Sequence, residues 1–224
     1  MDDGVSVIKI VEVGDGSVGK TCLLYRYATD DFPTSYVPTV FDDYRVTIEV
    51  DGVKTRVQIV DTAGQEDYES LRVLSYPDAS VVIIAFSLVN PVSFANVEKR
   101  WIKEVREKAP DAKVMLVGTK LDLRKDPEEL AKMAKRNLMP ISTKEGEECA
   151  RRIGAIAYHE CSARGEVPVG LKDLFDDAIR SNMYTGKENS KIGRSRSGVT
   201  GKKNAPEPVR TRRNRGAGCL PAFF

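Results

Sequence analysis

Val7-Ile8-Lys9-Ile10-Val11-Glu12-Val13-Gly14-Asp15-Gly16-Ser17-Val18-Gly19-Lys20-Thr21 is the stretch that decides the fold. Residues 7–13 read as a buried strand, and Gly14 to Thr21 fits G-x-x-x-x-G-K-[ST]. The glycines let the backbone turn so that successive N–H groups point inward at phosphate oxygens. Lys20 supplies a point charge to the β- and γ-phosphates, and the Thr21 hydroxyl is a ligand for Mg²⁺. The helix opening here adds its positive N-terminal dipole. An accidental glycine-rich turn is the alternative, and placement between a predicted strand and a predicted helix weighs against it.

Working outward, strands alternate with helices. Tyr44–Val50 and Val53–Val60 alternate apolar and polar residues around Asp51-Gly52, which predicts an antiparallel hairpin. Ser80–Phe86 and Lys113–Val117 are continuous apolar runs, suited to parallel strands covered on both faces. Ala155–Cys161 is a weaker sixth candidate. Asn90-Pro91 supplies a cap and a first-position proline, after which Phe94, Val97, Trp101 and Val105 recur at helical spacing up to Pro110. Residues 127–137 predict a short, charged helix outside the main core. Ser142 or Thr143 caps a helix reaching about Ile153, and Leu171–Met183 forms the last. The expectation is an α/β fold with a mostly parallel six-stranded sheet, one antiparallel edge strand and helices on both faces.

Three further segments sit at strand ends. Asp61-Thr62-Ala63-Gly64-Gln65 offers a carboxylate that can hold Mg²⁺ through water, a glycine that admits a terminal phosphate, and a glutamine that can orient water. Alone, D-x-x-G is usually only a turn. In Thr119-Lys120-Leu121-Asp122, the carboxylate can accept from N1–H and the exocyclic amine of guanine, a donor pair that adenine lacks. The Lys120 stem can lie along the base. Cys161-Ser162-Ala163 places small residues where a backbone N–H could meet guanine O6. Four segments at four strand ends converge on the sheet edge where α/β ligands bind, so a guanine nucleotide is the expected ligand.

The 224 residues carry 35 Lys+Arg and 33 Asp+Glu, a near-balance that hides an asymmetry. Residues 185–224 hold ten basic and two acidic side chains, so this tail is +8 and residues 1–184 are −6. The tail lacks periodicity and is expected to be disordered. No apolar run is long enough to span a bilayer, and the N-terminus lacks signal-peptide and myristoylation features. Four cysteines without a C-x-x-C pair, and a single His, argue against a zinc cluster and for a reduced cytosolic protein.

The segments GDGSVGKTCLL (14–24), YVPTVFDDY (36–44), DTAGQEDYESLR (61–72), LSYPDAS (74–80), GTKLDLR (118–124) and ECSA (160–163) resemble the small GTPases of the Ras superfamily, the Rho family most closely. The resemblance covers about residues 5–184 and implies a P-loop NTPase of the small G-domain type. The segment at 127–137 looks like the Rho insert helix, and Thr119 in place of Asn is a Rho habit. The resemblance puts the nucleotide against Gly14 to Cys22, Phe32, Tyr36, Thr39, Asp61, Gly64, Thr119, Lys120, Asp122, Ser162 and Ala163. It makes Thr21, Thr39 and Asp61 the Mg²⁺ set. Tyr36 would close over the phosphates, and Phe32 would pack edge-on against guanine, unless these aromatics are simply packing residues. Gln65, Lys20 and Thr39 would carry catalysis, while residues 36–44 and 62–76 would meet effectors, exchange factors and activating proteins. His159 reads as structural, and Cys22 as a small apolar group rather than a redox site.

Departures are specific. Val60 stands where Rho and Rac proteins have Trp, Ser70 and Val73 stand where Rac-like sequences have Arg and Pro, and Ser17 replaces the usual Ala. Pro221 occupies the place of the prenylated cysteine, and Cys219 is sixth from the end. Ordinary prenylation is therefore not expected. The basic tail, with Phe223 and Phe224, would give salt-sensitive attachment to an anionic cytoplasmic membrane face, with palmitoylation of Cys219 as a further route. A soluble basic tail drawn to nucleic acid or acidic partners is the alternative, with no specific nucleic acid expected. The expected function is a Mg²⁺-dependent GTP/GDP switch that hydrolyses GTP slowly and acts on the actin cytoskeleton, polarity or membrane traffic. A P-loop kinase would not need Asp122. A non-hydrolysing GTP-bound scaffold is disfavoured by the presence of Gly16 and Gln65.

Overall fold

A computed structural model describes residues 7–29, 31–32 and 41–183. Tyr36, Thr39, Val40 and the tail from residue 185 lie outside the described residues. The sheet order is β2-β3-β1-β4-β5-β6. Its strands are β1 (Val7–Gly14), β2 (Phe41–Val50), β3 (Val53–Thr62), β4 (Val81–Ser87), β5 (Lys113–Thr119) and β6 (Ala157–Glu160). All neighbours are parallel except β2 and β3. Those two turn at Asp51 and Gly52, with φ of 52° and 78°, the positive values that a two-residue hairpin needs. β2 begins three residues before the expected Tyr44, at Phe41. Asp42 and Asp43 interrupt the apolar alternation there, yet they suit an exposed edge strand.

Alternation along β1 sends its residues to two different cores. Ile8 and Ile10 pack with Leu23 and Leu24 of α1 (Lys20–Thr29) and with Leu174, Phe175 and Ile179 of α7 (Leu171–Met183). Val11 and Val13 pack instead with Val97, Trp101 and Val105 and with Cys149 and Ile153 of α6 (Thr143–Ile153). Every residue of β4 is buried, as a central strand covered on both faces requires.

The helix expected from residue 91 is interrupted. α3 (Pro91–Asn96), capped by the Asn90 side chain on the Val92 and Ser93 N–H groups, runs into a π turn over Val97–Trp101 and then α4 (Ile102–Lys108). A π turn admits one extra residue without ending the helix, so apolar spacing alone does not disclose it. Between α3 and β3, the short α2 (Glu69–Val73) follows a 3₁₀ turn at Glu66–Tyr68. α5 covers Pro127–Ala134, three residues shorter than the expected 127–137. It is capped by Asp126 on the Glu129 N–H and buries only Met133. Ser142, not Thr143, caps α6, in a reciprocal box with Glu145. Among the described residues, no helix is long and apolar enough to cross a membrane.

Candidate functional site

The chain leaves β1 toward β3 on one side and β4 on the other, so the β1–α1 connection lies at the topological switch point. Gly14 closes β1 with φ 147°, and a Cβ there would sit 2.1 Å from the Ala85 carbonyl oxygen. A Cβ on Gly64 would meet Gly14 O at 2.3 Å and Gly16 N at 2.5 Å, so the segment after β3 rests directly on the phosphate-loop backbone. Lys20 is buried at the start of α1, and its Nζ donates to the carbonyls of Gly14 and Asp15, each at 2.9 Å. Burial pushes its ammonium below the ordinary value, against the attraction of Asp61, Glu12 and Asp15.

Asp15 does not face solvent as a loop carboxylate would. Its oxygens accept from Trp101 Nε1 and Asn96 Nδ2, each at 2.7 Å. Residues five apart diverge on an α-helix, and the π turn between them brings both donors to one side. The spacing gave Trp101 only a core role, and no sequence signal marks the π turn.

The base end gathers the expected residues. Gly19, Cys22, Phe32, Thr119, Lys120, Asp122 and Ala163 line one cavity with Leu23, Leu123 and Arg164. Its volume of about 200 Å³ is below the ~300–1,000 Å³ of sites that enclose a drug-sized ligand, so it suits one end of a nucleotide. Ser162 Oγ donates to Asp122 Oδ1 at 2.7 Å, joining the third and fourth segments. Lys120 takes φ 58° and donates from Nζ to the Ser17 carbonyl at 2.8 Å. Thr119 Oγ1 lies 2.5 Å from the Val18 carbonyl and 3.0 Å from that of Phe86. Base end and phosphate loop are thus tied together by side chains. Cys22 is half-buried against this cavity, and burial raises its thiol pKa, in keeping with a neutral packing group.

Gln65 is exposed, with its backbone held rather than its side chain. Arg72 Nη1 donates to the carbonyls of Ala63 (2.9 Å) and Gln65 (3.3 Å). The same guanidinium grips Glu104 at 2.6 and 2.9 Å, Tyr76 OH donates to Glu104 at 2.6 Å, and Trp101 lies 4.8 Å beneath the Arg72 guanidinium carbon. Burial raises the Glu104 pKa, but the Arg72 and Tyr76 hydrogen bonds outweigh it and hold the carboxyl low. No local pattern announces this network, because a lone arginine in a charged helix reads as solvated. His159 lies on β6, with Nε2 3.3 Å from the Asp177 carboxylate of α7.

Thr21 sits in the first turn of α1, and Asp61 is fully buried on β3. Among the described residues no group of three or more His, Cys, Asp or Glu could hold a metal. The donor set here is hydroxyl and carboxylate, which fits a hard cation sharing its shell with phosphate oxygens. Glu12 adds to that set unexpectedly. It is fully buried beside Asp61 in the β1–β3 register, and neither carboxylate oxygen has a hydrogen-bond partner among the described residues. Burial, then Asp61, raises its pKa well above the ordinary value.

A model described as the Ras family matches residues 9–183, from β1 through α7. Members bind GTP and GDP with Mg²⁺, cycle between those states, and work with regulators and effectors. With the glycine cradle, the buried lysine and the paired Asp122 and Ser162 at the strand ends, this match makes the chain a member of the Ras family, a small GTP-binding switch with GTPase activity.

Proposed function

We propose that this switch is Rho-like. The observation that carries the reading is α5, a separately capped helix inserted between β5 and β6, on a chain that reads Thr119-Lys120-Leu121-Asp122 at the base site. Residues 1–184 act as the G domain and residues 185–224 as a basic tail. Asp122 selects guanine, and Lys20 with the Gly14–Gly19 N–H groups stabilises charge on the phosphates. Thr21, Asp61 and Thr39 hold Mg²⁺, which when bound neutralises charge developing on the phosphate oxygens.

Gln65 orients a water in line with the γ-phosphorus. The new P–O bond forms as the bond to the β-phosphate oxygen breaks, leaving GDP and inorganic phosphate. Arg72 is committed to Glu104 and supplies no finger in cis, so an activating protein brings one, worth ~10³–10⁵ in rate. Loss of the γ-phosphate releases the tethers at Thr39 and Gly64, and effectors bound through residues 36–44 and 62–76 dissociate. The basic tail holds the protein on anionic cytoplasmic membrane faces, plasma membrane or endomembrane, where the switch acts on the actin cytoskeleton, polarity or traffic.

Single-turnover hydrolysis of bound GTP, alone and with activating proteins of the Rho and Ras classes, tests this. Acceleration by the Rho class and its loss in Gln65→Leu are expected. Acceleration by the Ras class alone overturns the subfamily. Unchanged hydrolysis in Gln65→Leu, with and without activating protein, removes the water-positioning role.

A further inference from the structure

Strand alternation gives the orphaned carboxylate a direction. Ile8 and Ile10 on β1, and Val57 and Ile59 on β3, all face the core formed with α1 and α7. Glu12 and Asp61 continue those two series and pair in register, so their side chains leave the same face, under the N-terminal turn of α1 that bears Lys20 and Thr21. The nearest cation is already engaged: Lys20 Nζ donates to Gly14 and Asp15 carbonyls. A fully buried acid lacking any hydrogen bond among the described residues is unfavourable whether ionised or neutral, unless a cation or a donor arrives with the ligand.

We infer that Glu12 is a positioning residue for the Mg²⁺ of the bound nucleotide, accepting hydrogen bonds from metal-bound water beside Asp61. This rests on the nucleotide-site reading above. Carboxylates behind the direct ligands orient those ligands and the waters, and losing one typically costs ~10–100-fold in metal affinity. A carboxylate near the phosphates also opposes them electrostatically when no metal is present. Glu12 therefore makes nucleotide retention more dependent on Mg²⁺ than a valine at this position would.

The test uses the full chain loaded with a fluorescent GDP, its release followed across Mg²⁺ concentrations and in excess EDTA. Glu12→Gln and Glu12→Val are expected to need ~10–100-fold more Mg²⁺ for half-maximal retention. In EDTA both should hold GDP at least as well as wild type, because the buried acid that only Mg²⁺ compensates has been removed. Glu12→Val should also melt higher than wild type in EDTA. A general packing defect would instead weaken retention under both conditions and lower melting, and that result overturns the inference. So does an unchanged Mg²⁺ midpoint in either variant. If wild-type retention itself ignores Mg²⁺, the reading of the nucleotide site fails rather than the role of Glu12.

Discussion

At Asp122 a carboxylate stands beside the Ser162 hydroxyl, and that pairing fixes its orientation in the cavity it lines with Phe32 and Lys120. Asp122→Asn replaces an acceptor by a donor, so guanine should be lost by a few kcal/mol while xanthosine nucleotides gain. Competitive titration of GTP against xanthosine triphosphate measures both, and unchanged guanine affinity would remove Asp122 from the site. Asp15 makes the complementary case within the phosphate loop. Trp101→Phe keeps the buried ring but deletes one of two hydrogen bonds to a carboxylate, at a cost of ~1.5–3 kcal/mol in urea unfolding. GDP should also leave faster, because the loop loses a side-chain tether. Equal stability of wild type and Trp101→Phe would mean that the Asn96 bond alone suffices.

Among the elements, α6 depends on one small residue. A Cβ on Gly146 would lie 2.1 Å from Tyr158 Cζ, and the Tyr158 hydroxyl bonds Glu160, which also receives Arg124. Gly146→Ala should therefore cost ~1–3 kcal/mol by overpacking, with partial recovery on adding Tyr158→Ala. Chemical denaturation of the two single variants and the double variant reads this coupling. Such dependence was invisible in the sequence, where Gly146 only weakens a helical pattern. What the sequence did disclose were features carried by local chemistry: the loop glycines, the Asp51-Gly52 hairpin, the Ser142 cap and the Leu171–Met183 helix. The Arg72–Glu104–Tyr76 network and the meeting of Trp101 with Asp15 depend on residues far apart in the chain, and no local pattern encodes them; the Val97–Trp101 π turn is local, but apolar spacing does not tell it from an α-helical turn. Glu12 reads as part of an apolar strand, because period and composition outweigh one acid in a run of valines and isoleucines.

For the molecule as a whole, the single histidine gives stability a pH slope. Burial holds the His159 pKa below 6.5, opposed by Asp177 and Asp173. As pH falls through 6.5, the unfolded chain takes up the proton first, so stability present above that pH is lost progressively below it. Urea midpoints at pH 7.5 and 5.5 should differ in wild type and differ less in His159→Asn. An identical difference in both would assign the slope to carboxylates instead. The last helix has a consequence for orientation. Arg180 grips Asp51 at the β2–β3 hairpin tip with two 2.9 Å bonds, and Lys113, the first residue of β5, donates to the Ser181 carbonyl. The end of α7 therefore lies at the edge where the parallel strands begin, whereas Gly14, Asp61 and Thr119 lie where they finish. A strand of seven residues separates the two edges by ~23 Å. A surface that takes hold of the chain beyond Met183 thus meets the domain at its stern, with the strand ends that carry Gly14, Asp61 and Thr119 at the bow.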